Sequence, residues 1–309
     1  MGSNPTKAGA PILVTGATGR HGGSGRATVK LLLERGLPVR ALVRHLDERA
    51  DDLRRLGAEL VVGDFADYGS LLSALESVKS AYFCYPVGAG IAEAAGLFAA
   101  AGRERGLERV VDLSLGGADS GSLSPQDRAQ WVAEKIFEWA GFDGVHLRVA
   151  AYFMENVLRM DGPGIRANGR IANSFGSTDL SWIAGADVGA MAGSLLADPS
   201  LSSERTIVAG GVQPLSYAAI ARTLTDVLGS PVRYDELTPD AWRQELIALF
   251  TAAGVPNARA ADHLVARSIA QRDEPMPVTE HVRQLVGRAP IAFADFVALH
   301  HADFERARA

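Results

Sequence analysis

A glycine-rich segment directly after the first predicted strand constrains the fold of this chain more than any other feature. It runs from Val14 to Gly25 as VTGATGRHGGSG, and the residues that follow it have the pattern of a helix. Glycines in such a turn permit positive φ angles and let backbone N–H groups approach a ligand, while the helix N-terminus adds partial positive charge. The order strand, glycine turn, helix predicts a dinucleotide-binding turn of the Rossmann type.

The predicted contacts of this turn with the cofactor include its glycines and three side chains that can donate hydrogen bonds. They are Gly16, Thr18, Gly19, Arg20, His21, Gly22 and Gly25. Gly22 and Gly25 both fit the last position of the glycine pattern. The choice between them decides whether residues 20–24 form an enlarged loop.

The first half of the chain alternates short apolar runs with amphipathic segments. The predicted strands are residues 12–15, 39–43, 60–62, 81–85, 110–114 and 146–149. We therefore predict an α/β fold, a Rossmann-type doubly wound parallel sheet with a smaller, mostly helical C-terminal lobe. The nucleotide-binding domain is predicted to comprise residues 1–157 plus about 180–210, and the substrate or cap lobe residues 158–179 and 211–309.

Composition excludes several other classes of protein. The chain has 309 residues, 47% of them hydrophobic, and a formal net charge of -5, which gives no general attraction to nucleic acid or anionic membranes. No apolar run approaches the length needed to span a bilayer. The single cysteine, Cys84, cannot form an internal disulfide, which fits a reducing, cytoplasmic location. His300 and His301 have no convincing partner for a metal ion, so we expect no metal. We expect the protein to be either a monomer or a homodimer.

The end of the second predicted strand indicates which dinucleotide is bound. NAD(H)-specific proteins usually place an acidic residue there, whereas this chain has Arg44, which favours NADP(H) through its extra phosphate. The alternative is a solvated surface arginine. Asp64 is predicted to accept from the adenine amine with Phe65 packed nearby, and the other predicted cofactor contacts are Tyr85, Pro86 and Ser114.

Several ordered motifs resemble those of the NmrA-like branch of the atypical short-chain dehydrogenase/reductase superfamily. They are Gly16-Ala17-Thr18-Gly19, Leu42-Val43-Arg44, Gly63-Asp64 through Ser70-Leu71, residues 110–114, and Phe153-Met154-Glu155-Asn156. The resemblance covers nearly the whole chain. It implies an NADP(H)-binding Rossmann domain, a small C-terminal lobe, and a cleft near Ser114, Tyr152 and Asn156.

The chain departs from the catalytic members that it resembles. It contains no Tyr-x-x-x-Lys, and Gln130 stands where reductases of this branch carry a lysine or histidine. A glutamine cannot donate a proton as an acid. Ser114, Gln130 and Tyr152 are the candidate catalytic residues, each as a hydrogen-bond donor to the substrate. Lys135 lies on the same predicted helix, between glutamates that we interpret as solvated charges.

Two functions remain open. The first is an NADPH-dependent oxidoreductase that transfers hydride to a small quinone, enone, imine or carbonyl substrate, in a pocket lined by Tyr152, Phe153, Asn156 and Trp182. The second is a non-catalytic NADP(H)-sensing regulator that acts through a protein partner, which would tolerate Gln130 and the missing acid. Each candidate also has a purely structural interpretation: Ser114 as a cap, Tyr152 and Phe153 as core, Asn156 as a loop residue.

Overall fold

The computed structural model describes residues 9–19, 23–149, 152–255, 257–273 and 277–305, apart from the side chains of Tyr152 and Asp273. The strands are β1 (Ile12–Val14), β2 (Val39–Val43), β3 (Glu59–Val62), β4 (Ser80–Phe83), β5 (Arg109–Leu115), β6 (Asp143–Val149), β7 (Tyr152–Phe153), β8 (Arg170–Asn173), β9 (Leu180–Ile183), β10 (Thr206–Ala209), β11 (Pro214–Leu215) and β12 (Arg233–Glu236). The helices of the first half are α1 (Ser24–Glu34), α2 (Glu48–Leu56), α3 (Tyr68–Ala74), α4 (Ile91–Arg105) and α5 (Pro125–Trp139). The later helices are α6 (Met154–Asn156), α7 (Gly162–Asn168), α8 (Gly185–Ala197), α9 (Tyr217–Leu228), α10 (Pro239–Ala252), α11 (Ala258–Asp273), α12 (His281–Val286), α13 (Phe293–Leu299) and α14 (His301–Phe304).

Seven parallel strands form the central sheet in the order β10-β6-β5-β4-β1-β2-β3. From β1 the chain proceeds outward to β3, and it then returns to start the other half of the sheet at β4. The strand order therefore reverses between β1 and β4, and in such sheets ligands bind outside the carboxyl ends of the strands at this point. The predicted Rossmann-type doubly wound sheet is confirmed.

The helices cover both faces of this sheet, which explains why its strands are apolar on both sides. On one face α1, α2, α8 and α12 contribute to a core that contains Val29, Leu53, Met191 and Val282. On the other face α3, α4 and α5 pack around Phe83 and its neighbours. The close contact of α1 with α8 depends on Gly189 of α8, because a side chain at this position would collide with α1.

The C-terminal lobe has a separate core of aromatic and aliphatic side chains. Phe175, Tyr217 and Trp242 are among its buried members, and two small sheets, β11-β9-β7 and β12-β8, lie beside the surrounding helices. A five-residue π-helix, Val157–Asp161, leads into this lobe. The predicted lobe boundaries stay a prediction. Helix α12 lies in the range assigned to the cap lobe, yet Val282 and Leu285 pack in the core that α8 shares with the large sheet.

Candidate functional site

The glycine turn between β1 and α1 is shaped by close approaches of its own backbone. Gly16 has a φ of 70°, and a Cβ there would lie 2.9 Å from the Cys84 sulfur. The amide of Gly19 donates to the carbonyl of Gly16 at 2.9 Å. A Cβ on Gly25 would lie 2.9 Å from the backbone nitrogen of Ala17. These contacts hold the start of α1 directly against the turn.

The close approach of Gly25 gives it the helix-packing role of the last glycine in the pattern. The structure begins α1 at Ser24, so Ser24 belongs to the helix and not to the enlarged loop that this alternative predicts. Arg20, His21 and Gly22, which the sequence also predicts as cofactor contacts, lie outside the described residues. No described side chain caps the N-terminus of α1, and its first turn contains no acidic residue, so its first N–H groups remain available to an anion.

Two arginines near the end of β2 are in different situations. Arg44 is exposed, and no hydrogen bond or ion pair joins its guanidinium to another described residue. Arg49 instead donates to the carbonyl of Thr18 at 2.8 Å and is paired with Asp47. Arg49 thus ties α2 to the glycine turn, whereas Arg44 is free to meet a phosphate.

The predicted adenine contact and two of the other predicted cofactor contacts lie at the ends of β3 and β4. Asp64 is exposed, and one of its carboxylate oxygens accepts from the amide of Ala66 at 2.9 Å. The Phe65 ring lies 5.2 Å from that of Phe83 and 5.5 Å from that of Tyr85. Burial raises the pKa of Tyr85, whose hydroxyl donates to the carbonyl of Ala89. Pro86, the next predicted contact, is exposed.

Ser114 is not available as a donor to a substrate. It is fully buried, and its hydroxyl donates to the carboxylate of Glu134 at 2.5 Å. Arg148 donates to both oxygens of the same carboxylate, at 2.9 and 2.6 Å, which is the bidentate geometry of an arginine–carboxylate pair. A serine hydroxyl has one proton, so Ser114 can only accept from another group while this bond exists. The interpretation of Glu134 as a solvated charge is wrong, because its side chain is buried against β5 and β6.

Gln130, the second catalytic candidate, is also bound to the protein. Its side chain is 3% exposed, and its amide nitrogen donates to the carbonyl of Leu113 at 3.1 Å. Lys135, one turn farther along α5, is paired with Glu138 at 2.8 Å. The described part of the cleft therefore shows no acid at the positions where the sequence suggested a donor.

The predicted substrate contacts lie in different environments. Trp182 is 1% exposed and its indole N–H donates to the carbonyl of Leu215, so its predicted role in a pocket wall is corrected to a core position. Asn156 is 8% exposed, and its side-chain oxygen has no partner among the described residues. Phe153 packs against the large core. Tyr152 pairs with Trp182 through its backbone, and its side chain lies outside the described atoms.

Helix α11 contributes residues that the sequence did not single out. The Ser124 hydroxyl lies 2.9 Å from Nδ1 of His263, and Arg259 donates to the side chain of Gln126 at 3.0 Å. Asn257 donates to the carbonyl of Val87 at 2.9 Å. These bonds join the C-terminal lobe to the loops that follow β4 and β5. They connect residues more than 130 positions apart in the sequence. The sequence feature that could have indicated these bonds is a row of polar residues spaced four apart on one predicted helix.

Neither a membrane-spanning helix nor a cluster of metal-binding side chains is found among the described residues. Among the described residues, no helix combines the length and apolar character that crossing a membrane requires. Within the same residues, no three histidine, cysteine, aspartate or glutamate side chains are grouped so that they could hold a metal ion.

Comparison with known proteins identifies the family to which this chain belongs. The family model for the NmrA-like family matches residues 9–264. The NAD(P)H azoreductase of Xenophilus azovorans is 29% identical over 296 residues, which cover 95% of this chain and 99% of that protein. The (4-alkanoyl-5-oxo-2,5-dihydrofuran-3-yl)methyl phosphate reductase of Streptomyces griseus is 28% identical over 292 residues, 94% and 97% of the two chains. Among solved structures, the NADPH complex of an NADPH-dependent quinone oxidoreductase from Escherichia coli is similar with a TM-score of 0.79, at 22% identity, over 94% of this chain and 99% of that one.

Proposed function

We propose that this chain, which belongs to the NmrA-like family, is an NADP(H)-dependent oxidoreductase that transfers hydride to a small quinone, enone, imine or carbonyl substrate. The observation that carries the proposal is the combination of the glycine turn after β1 with the guanidinium of Arg44 after β2, which has no partner among the described residues. Both lie at the carboxyl ends of neighbouring strands, and β1 borders the reversal of strand order. The proposal includes a cytoplasmic location and a place among the atypical short-chain dehydrogenases/reductases.

The residues of the turn fit a dinucleotide phosphate. A side chain at Gly16 or Gly25 would collide with neighbouring atoms. Because both positions are glycine, the backbone N–H groups of the turn stay accessible, and the uncapped start of α1 adds favourable charge. Arg44 would hold the extra phosphate that distinguishes NADP(H) from NAD(H). When bound, the reduced cofactor supplies a hydride, which carries two electrons to the acceptor carbon.

The protein's own part in the reaction is to bind and orient the substrate rather than to protonate it. The one hydroxyl hydrogen of Ser114 is donated to Glu134, and Gln130, which donates to the carbonyl of Leu113, is an amide and not an acid. Hydride transfer needs the acceptor carbon to be held against the nicotinamide, and orientation alone supplies much of the rate. A quinone or an iminium accepts hydride readily, and a quinone completes its reduction with a proton from water. This supports reactive acceptors over simple ketones.

The activities for which the relatives are named support this class without fixing one substrate. Their names specify an azo compound, a quinone and an unsaturated lactone phosphate as what those proteins reduce. Each is an unsaturated, electron-poor acceptor. We therefore expect the substrate of this chain to be a small molecule of that kind.

The second candidate is a non-catalytic NADP(H) sensor that signals through a protein partner. The specific observation in its favour is that Ser114 and Gln130 are buried and bound within the protein. Binding of the dinucleotide would then change how α11 meets the loop after β4, and the partner would read this surface.

Calorimetry with NADPH, NADP⁺, NADH and NAD⁺ tests the cofactor, and NADPH oxidation with menadione, an enone and a cyclic imine tests turnover. The oxidoreductase predicts tighter binding of the phosphorylated pair together with acceptor-dependent loss of NADPH absorbance. Tight binding without turnover of any acceptor would favour the sensor. Absence of binding would overturn both candidates.

A further inference from the structure

One face of α11 is polar and nevertheless buried. His263, Arg267 and Gln271 are 6%, 9% and 0% exposed, and we call these three residues the α11 stripe. Residues four apart lie on one face of a helix. The apolar residues of the same helix, such as Ala261 and Leu264, pack in the core of the C-terminal lobe. The stripe therefore lies on the side of the helix that meets the loop after β5.

Arg267 lies against the carboxyl edge of the large sheet. A Cβ on Gly117, two residues after β5, would lie 2.3 Å from one guanidinium nitrogen of Arg267. Only a glycine leaves room for the guanidinium there. Arg267 thus reaches from the C-terminal lobe to the edge of the sheet at which α/β folds bind their ligands.

The guanidinium of Arg267 has donors to spare. Its nearest carboxylate oxygen is that of Asp127, at 3.7 Å, which is beyond hydrogen-bond distance. No described residue accepts a hydrogen bond from Arg267, although a guanidinium carries five N–H donors and buried polar groups are normally bonded. The Arg267 side chain is 11% exposed, and a largely buried guanidinium with this geometry is suited to a ligand that accepts several hydrogen bonds.

Several other buried polar atoms of α11 and of the start of α5 lack a described hydrogen-bond partner. Neither side-chain polar atom of Gln271 has a described partner, and the amide nitrogen of Gln126 and one oxygen of Asp127 are likewise unpaired. Burial, followed by the charges of Arg267 and Arg259, lowers the pKa of His263 to about 3, so this histidine is neutral and can accept from Ser124. Burial raises the pKa of Asp127, the one carboxyl group beside Arg267 in this cluster. Because Arg267 and Arg259 carry two guanidinium groups and Asp127 one carboxyl group, the charge of this cluster favours the binding of an anion.

We propose that Arg267 binds a negatively charged oxygen of the substrate, a role that rests on the proposed oxidoreductase function and specifies its substrate class. The oxygen can have two sources with the same chemistry. It is either a fixed carboxylate, sulfonate or phosphate on an electron-poor acceptor, or the oxygen that becomes negative during the reaction. In the second case the hydride adds to a carbonyl or quinone carbon, the carbon–oxygen π pair moves to oxygen, and water later supplies the proton.

The experiment compares Arg267→Gln with Arg222→Gln, which removes the same charge from an exposed position on α9. Two acceptors are used, menadione and naphthoquinone sulfonate, with NADPH oxidation giving kcat and KM. Calorimetry with the NADP⁺-loaded protein gives the Kd of naphthoquinone sulfonate independently of turnover. NADPH affinity and circular dichroism of each variant establish that the cofactor site and the fold are intact.

For a fixed anion, Arg267→Gln should raise the Kd and KM of the sulfonate by about 10- to 100-fold and change menadione by less than about twofold, since a charge-assisted contact is lost. For a forming oxyanion, kcat should fall by about 10- to 100-fold for both acceptors while the Kd of the sulfonate stays constant. Arg222→Gln should match wild type. Changes below about twofold in every constant would overturn the inference.

A second variant keeps the test decisive if Arg267→Gln fails to fold. Arg267→Lys retains the charge but loses the planar fork, so it should recover part of the affinity or of kcat. If wild type turns over neither quinone, nor the enone or the cyclic imine, but binds the sulfonate through Arg267, the anion site stands and the oxidoreductase proposal fails. If both quinones are reduced and neither Arg267 variant changes any constant, the oxidoreductase stands and the anion site fails.

Discussion

A pair of matched glycine substitutions tests whether the turn is built as the structure has it. Gly25→Ala places a methyl group 2.9 Å from the nitrogen and Cα of Ala17, both of them backbone atoms. Gly96→Ala makes the same change inside α4, where no described atom lies within 4 Å of the added carbon. The two variants differ in the space around the methyl group and not in chemistry, so their difference isolates the close packing of α1.

The expected energies have opposite signs. Carbon atoms in contact normally stay about 3.5–4.0 Å apart, so Gly25→Ala must push α1 from the turn by roughly 0.5–1 Å. Such overpacking costs about 1–3 kcal/mol of the free energy of unfolding. Gly96→Ala should instead stabilise the protein by about 0.5–1 kcal/mol, because alanine has the higher helix propensity.

Urea unfolding of the cofactor-free protein measures these energies, and calorimetry measures the affinity for NADPH and NADH. Displacing α1 removes backbone donors from the phosphates that both dinucleotides share, so Gly25→Ala should weaken both by about 10- to 100-fold. Gly96→Ala should leave both affinities unchanged. If Gly25→Ala stabilised the protein as much as Gly96→Ala and bound NADPH normally, Gly25 could not be the last glycine of the cradle.

Three further predictions concern charged groups. Arg44→Glu should weaken NADPH by roughly 10- to 100-fold and NADH by less than about twofold in calorimetry; equal losses would contradict its role with the phosphate. Glu134→Gln should lower the free energy of unfolding in urea by roughly 2–4 kcal/mol, somewhat below a wholly buried pair because Arg148 is 24% exposed, and a loss under about 1 kcal/mol would contradict the ion pair. Burial raises the pKa of Glu155 from 4.5 to about 7. The folded state then binds more protons between these values, so the free energy of unfolding should fall by roughly 3 kcal/mol as pH rises through that window, and Glu155→Gln should lack this fall when compared with wild type at each pH.

The sheet could be predicted from the sequence because its signals are local. Each buried parallel strand is a short apolar run, and the glycine turn is a continuous motif that appears only between a strand and a helix. The helix bounds of the C-terminal lobe also follow from local periodicity. The apolar spacing of residues 293–304 predicts one helix, and the structure interrupts it at His300 to give α13 and α14.

The environment of the charged residues could not be predicted in the same way. Glu134 has the sequence of a solvated helix residue, yet α5 turns it towards Arg148, which stands opposite Ser114 in the β5–β6 register. Its burial depends on a partner from another strand, which no local pattern records. The same holds for Trp182, an aromatic residue after a polar one, which packs in the second core because β9 lies between β7 and β11.

Ser114 of the Rossmann domain already donates its hydrogen within the protein, whereas Arg267 of the C-terminal lobe has N–H donors without a described acceptor. The two lobes therefore contribute differently to this site. The Glu134 and Arg148 charges offset each other beside Ser114, whose one hydroxyl hydrogen is already donated, so this ion pair offers a substrate neither a proton nor a net charge. A positive group reaches the carboxyl edge of the large sheet from α11, which is fastened to the loop after β4 through Asn257. That loop carries predicted cofactor contacts, so we expect dinucleotide binding and the position of Arg267 to be coupled. The coupling serves a reductase by completing the cleft only around a bound cofactor, and it would serve a sensor through the same helix.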